Sequence, residues 1–111
     1  MVRLITKGRF TQSYAKGLVE APEDREPAVR KLIEANGGKL ISFYFTTGDS
    51  DFLIIAEADD AESLIAGTMA AAAAGAVSDT STIRAWTGAE FKAVASKASA
   101  AAAAYRPPGK R

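Results

Sequence analysis

The chain is predicted to fold as α+β, with one four-stranded antiparallel sheet, two helices on one face of it and an extra helix at the C-terminal end. Three observations lead there. Segments 2–10, 39–47, 51–58 and 77–86 are rich in β-forming residues or alternate apolar with polar at the period of a strand. Segments 22–36, 61–74 and 89–105 have helical spacing or composition and recognisable end signals. Their order is strand, helix, strand, strand, helix, strand, helix, a doubled βαβ pattern whose right-handed crossovers place both inner helices on the same side of the sheet.

The first strand puts Val2, Leu4, Thr6, Gly8 and Phe10 on one side and Arg3, Ile5, Lys7 and Arg9 on the other. A loop containing Tyr14 and Gly17 is expected to follow. In residues 22–36, Val29, Leu32 and Ile33 share a helix face, Asp24 can cap the start, and Pro27 falls in the first turn, where its missing N–H is not needed. Gly37 and Gly38 end that helix. The two runs 39–47 and 51–58, separated by Gly48, Asp49 and Ser50, read as a hairpin. Asp59 and Asp60, with Glu62 close behind, open a second helix through Leu64, Ile65 and Met69 into the alanine run 70–74, closed by Gly75. After the fourth strand, Thr87 and Glu90 form a capping box for the last helix. That helix is expected to dock through Phe91, Val94, Ala95 and Ala98.

This is the ferredoxin-like arrangement. With a loop over residues 47–50, Phe45 opposes Phe52, Phe43 opposes Ile54 and Ile41 opposes Ala56, forming the core face under the helices. The other face then collects Ser42, Tyr44, Thr46, Leu53, Ile55 and Glu57 with Arg3, Ile5, Lys7 and Arg9, and from the fourth strand Thr80, Thr82, Arg84 and Trp86. A sheet face left in water should be mainly polar, yet Ile5, Tyr44, Leu53, Ile55 and Trp86 make an apolar patch. A second copy of the same face is its simplest cover, so a homodimer or a ring of dimers is expected.

Composition narrows the chemistry. At 111 residues, with 48% hydrophobic and 24% charged residues, the chain is sized for a single domain, residues 1–105, followed by a short basic flexible tail, residues 106–111. It has no cysteine and no histidine. Thiolate and imidazole ligation, nucleophilic triads and disulfides are therefore outside its repertoire, and neither a metal nor another cofactor is expected. The net charge of +1 supplies no general attraction to nucleic acid or membrane, and neither is expected as a partner. The alanine run is far too short to span a bilayer and the N-terminus lacks a signal-like apolar stretch, which points to the cytoplasm.

The stretch GGKLISFYFTTGDSDFLIIAEADD at residues 37–60 resembles the core of the GYD family. The flanking Phe10-Thr11-Gln12 and the closing run from Thr80 to Thr87 are similar to it as well, so the resemblance extends to about residue 95. Where the family has Gly, an acidic residue, Tyr and Asp in its hairpin, this chain has Gly48, Asp49, Ser50 and Asp51. The aromatic is missing, and any role attached to it does not carry over. Gly48 and Asp51 match, and both suit a turn: glycine for positive φ, aspartate for accepting amide hydrogens. The resemblance implies kinship with dimeric α+β barrel proteins, a group that includes small-molecule oxygenases and ligand-sensing domains.

The leading functional expectation is a small organic ligand, anionic in character, held at the open sheet face between protomers by Lys7, Arg9, Tyr44, Arg84 and Trp86. Cations would pair with a carboxylate or phosphate and rings would supply apolar contact. The alternatives are a metal-free enzyme using Lys7 or Tyr44 as acid or base, or a purely structural assembly protein. RNA binding on the sheet ranks below these, because residues 39–45 lack the glycines of the usual signature and Phe43 and Phe45 point into the core.

Overall fold

A computed structural model describes residues 1–109, so the end of the basic tail, residues 110 and 111, lies outside the described residues. The elements are β1 (Val2–Phe10), α1 (Gln12–Glu20), α2 (Glu26–Glu34), β2 (Lys39–Phe45), β3 (Phe52–Ala58), α3 (Ala61–Ala73), β4 (Val77–Arg84) and α4 (Gly88–Ala104). The strands form one antiparallel sheet in the order β2-β3-β1-β4, as a ferredoxin-like fold requires. The core lies where Leu64 of α3 meets Leu4, Ala56 and Ala58, with Val2, Ile33 and Ile54 packed around it.

The one unexpected element is α1, which occupies the segment read as a loop. Gly17 in mid-segment, and an apolar face of only Tyr14 and Leu18, hid it. Its start is fixed locally, by Thr11 Oγ1 accepting from the Tyr14 amide at 3.1 Å, and Tyr14 stacks on Phe10 with ring centroids 4.5 Å apart. It buries no residue. α3 and α4 begin and end within a residue of their expected limits, whereas α2 starts at Glu26 rather than Pro22, with Arg25 and not Asp24 at its N-cap position. Asp24 accepts from the Glu26 amide at 2.9 Å, Asp60 caps α3 through the Ser63 amide at 2.9 Å, and Gly75, at φ 77°, ends it. Gly38 is required by close approach: a Cβ there would sit 2.8 Å from both the Ile33 side chain and its carbonyl oxygen. Gly67, buried in the middle of α3, costs about 1 kcal/mol in helix propensity relative to alanine.

Two bulges change which residues face which way. In β2 the pairing Phe45 with Phe52 and Phe43 with Ile54 runs as expected, but a register shift between Leu40 and Ser42 puts Leu40, not Ile41, opposite Ala56. Leu40 is buried and Ile41 is 43% exposed. In the β1–β4 ladder Lys7 pairs with Ser81 but Arg9 pairs with Ser78, so β4 carries an extra residue around Asp79, whose φ is 50°. Beyond it Thr82 pairs with Thr6 and Arg84 with Leu4, on the helix-bearing side, while Ile83 pairs with Ile5 on the open side. The expected open-face positions of Thr82 and Arg84 are thereby corrected, because one inserted residue inverts the alternation.

The last helix does not dock as expected. α4 starts at its capping box, with Thr87 Oγ1 accepting from the Glu90 amide at 3.1 Å and Glu90 Oε1 accepting from the Thr87 amide at 2.7 Å, but it buries no residue along its 17 positions. The radius of gyration is 18.3 Å, against about 13 Å for a compact chain of this length, and the principal extents are 66 × 30 × 23 Å. α4 is an arm.

Candidate functional site

The uncovered face of the sheet is built from cross-strand rows. One row runs Tyr44, Leu53, Lys7, Ser81 across β2, β3, β1 and β4; the next runs Ser42, Ile55, Ile5, Ile83. Tyr44 and Ile83 are each 57% exposed. Three isoleucines side by side on adjacent strands, with Leu53 and Tyr44 beside them, make a continuous apolar strip with one cation, Lys7, set into it. Lys7 makes no ion pair among the described residues.

At one end of the strip the charges neutralise each other. Arg3 sits opposite Glu57, and its Nη2 lies 2.8 Å from Glu57 Oε2 while its Nη1 reaches Glu90 Oε1 at 2.7 Å. The Arg3 hydrogen bond, supported by the Thr87 amide, holds the Glu90 carboxyl down at about 2. The two carboxylates in turn raise the Arg3 guanidinium, Glu90 more than Glu57. At the other end is the hairpin. Gly48 has φ 93°, Thr46 Oγ1 donates to the Ser50 carbonyl at 2.7 Å, and Asp51 Oδ2 accepts from the Phe10 amide at 2.9 Å. Asp51 thus ties the hairpin to the end of β1. Arg9 donates to the Asp49 carbonyl at 3.2 Å.

Of the five ligand candidates, the structure keeps Lys7, Arg9 and Tyr44 along the open side and moves the other two. Arg84 belongs to the helix-side register and lies over the Trp86 ring, 4.9 Å from its centroid; Trp86, past the end of β4, meets Phe91 edge to face at 5.7 Å. These two form a corner between sheet and arm. Ile83 is the residue the sequence reading missed on this face. The signal was Asp79, a residue type that tolerates left-handed backbone, at the point where the alternation breaks. Lys7 and Tyr44 are two strands apart with Leu53 between them, about 10 Å at ordinary strand spacing, so within one protomer they do not form an acid–base pair.

The GYD domain model matches residues 4–95, most of the chain and all of the sheet except Val2 and Arg3 at the start of β1. The chain belongs to the GYD family. For this GYD protein no curated protein is similar enough in sequence to match. Among solved structures it is similar to the crystal structure of FFRP-DM1, at 18% identity and a TM-score of 0.50, covering 78% of this chain and 100% of that one. It is also similar to the crystal structure of MtbAldR, at 17% identity and a TM-score of 0.54, covering 78% of this chain and 52% of that one. At such identities the likeness shows the fold alone.

Among the described residues no cluster of acidic side chains could hold a metal ion, and no helix is long and apolar enough to cross a membrane.

Proposed function

We propose that this GYD protein is a homo-oligomeric small-molecule-binding module, assembled through the open sheet face and holding an organic anion between protomers beside Lys7, Arg9 and Tyr44. The observation that carries the reading is the row Ile5, Ile55 and Ile83, an apolar strip on an uncovered sheet with a lysine in its midst. A twofold contact covers such a strip with its own copy and brings two Lys7 side chains into one enclosed space, where an anion would offset the cost of desolvating them. Tyr44, opposite Leu53, supplies an aromatic wall. Binding needs only the cation and the apolar wall, whereas catalysis by Lys7 or Tyr44 would further need a substrate atom held within hydrogen-bond reach of one of them.

Sedimentation velocity tests the assembly: the native chain is expected to sediment as a dimer or larger at micromolar concentration, and Ile83→Glu as a monomer with unchanged circular dichroism. Native mass spectrometry tests the ligand. A retained small molecule should accompany the native oligomer and be lost in Lys7→Met. A native chain that stays monomeric would sink the proposal.

A further inference from the structure

On the opposite side of the sheet, the layer between strands and helices is not filled. A cavity of about 130 Å³ lies there, walled by Leu4, Val29, Leu32, Phe43, Ile54 and Leu64 and reaching Tyr14 and Arg25. Two features set it apart from a packing defect. Gly67 of α3 lines it, and a Cβ placed on Gly67 would meet nothing closer than Leu32 Cγ, at 4.0 Å. Alanine would fit and would make a better helix, so glycine here preserves space rather than avoiding a clash.

The second feature is the polar lining. Thr6 and Thr82 hydrogen-bond each other at 3.0 Å and the Thr68 hydroxyl donates to the Leu64 carbonyl at 3.4 Å, so these groups are committed. Tyr14 and Arg25 are committed only in part. Arg25 Nε donates to the Tyr14 oxygen at 3.3 Å and Nη1 to Glu23 at 2.6 Å, which leaves Nη2 and the phenol hydrogen without a partner among the described residues. The Arg25 side chain is 32% exposed, so the charged end of the cavity is where it meets solvent.

We propose that this cavity binds a monocyclic aromatic carboxylate, its ring among the apolar side chains and its carboxylate on Arg25 and Tyr14. The volume is close to the roughly 150 Å³ of a dry cavity that accepts benzene. A lone carboxylate would not enter apolar surroundings, but a guanidinium at the mouth provides a paired, hydrogen-bonded seat. The incoming carboxylate takes the place of Glu23, whose side chain is 57% exposed and returns readily to water. This site is separate from the face that carries Lys7, Arg9 and Tyr44, so the two readings stand or fall apart.

The test is an amide NMR titration of the full chain with benzoate, run in parallel with benzyl alcohol as the uncharged counterpart. Saturable shifts are expected at Leu32, Ile54 and Gly67. Arg25→Gln should weaken benzoate about tenfold and leave benzyl alcohol unchanged. If that variant does not fold, Glu23→Gln serves instead, and should tighten benzoate about twofold by freeing Arg25. Gly67→Ala should raise the melting temperature while weakening both probes, a combination that a purely structural glycine would not produce. The proposal is overturned by an absence of saturable shifts, by shifts centred on Lys7 and Tyr44, or by undiminished affinity in Gly67→Ala.

Discussion

α3 and α4 are both alanine-rich helices opened by a good N-cap, yet one is part of the body and the other stands off it. α3 buries Leu64 against Leu4 and Ala56 and is lined on its inner side by residues of the sheet. α4 offers Phe91 and Val94 at comparable spacing, and both remain exposed. The difference lies in what precedes them. α3 follows an inner strand whose last residue, Ala58, is on the core face, so the chain turns back over the sheet; α4 leaves the edge strand at a corner held by Arg3, Glu90, Trp86 and Phe91. Capping and alanine content are therefore enough to make a helix and say nothing about whether it packs.

The comparison breaks most visibly at the packed residue. Leu64→Ala is expected to cost about 3 kcal/mol in urea unfolding, as for other buried leucines. Removal of residues 88–111 should cost no more than about 1.5 kcal/mol, the upper worth of the one aromatic pair, Trp86 with Phe91. That is less than a docked helix would cost. If the loss on truncation grows with protein concentration, α4 packs on a second copy.

The caps give a finer contrast. Asp60→Ala and Thr87→Ala remove equivalent hydrogen bonds, each worth about 1 kcal/mol. At α3 the loss should appear in global stability. At α4 it should appear as reduced helical circular dichroism with the unfolding midpoint of the body unchanged.

The smallest effect is electrostatic. Glu90 is held at about 2 against an ordinary value of 4.5, so its contribution is complete above pH 4.5 and is lost as pH falls toward 2. In Arg3→Met the Glu90 carboxyl, followed by its NMR shift, should titrate at higher pH. A midpoint that does not move would mean the Thr87 amide alone sets it.

Most of the architecture was legible in the residues: the hairpin from Gly48 and its flanking aromatics, α2 from Pro27 and Asp24, the end of α3 from Gly75. The phase of two strands was not. Alternation is read on the assumption of period two, and a bulge adds one residue without any change in composition, so Ile41 and Leu40 exchanged places, as did Ile83 and Arg84. The open face emerged more apolar than expected, and two of five candidate residues left it. α1 was missed because Gly17 reads as a break in the segment and its apolar face is only Tyr14 and Leu18, both half-buried. The cavity was invisible, since Gly67 in a helical run looks the same whether it preserves space or merely weakens the helix.

The corner at Arg3 has a mechanical side. One guanidinium spans β3 and α4, gripping Glu57 and Glu90 at once, at the base of a helix about 25 Å long. With the pivot at one end, a tilt of about 10° there swings Ala104 through about 4 Å. Arg3 thus acts as a brace on a lever. Weakening it would change little in the body's own stability, while the far end of α4 would sweep a wider arc and meet any neighbouring surface at a less defined angle.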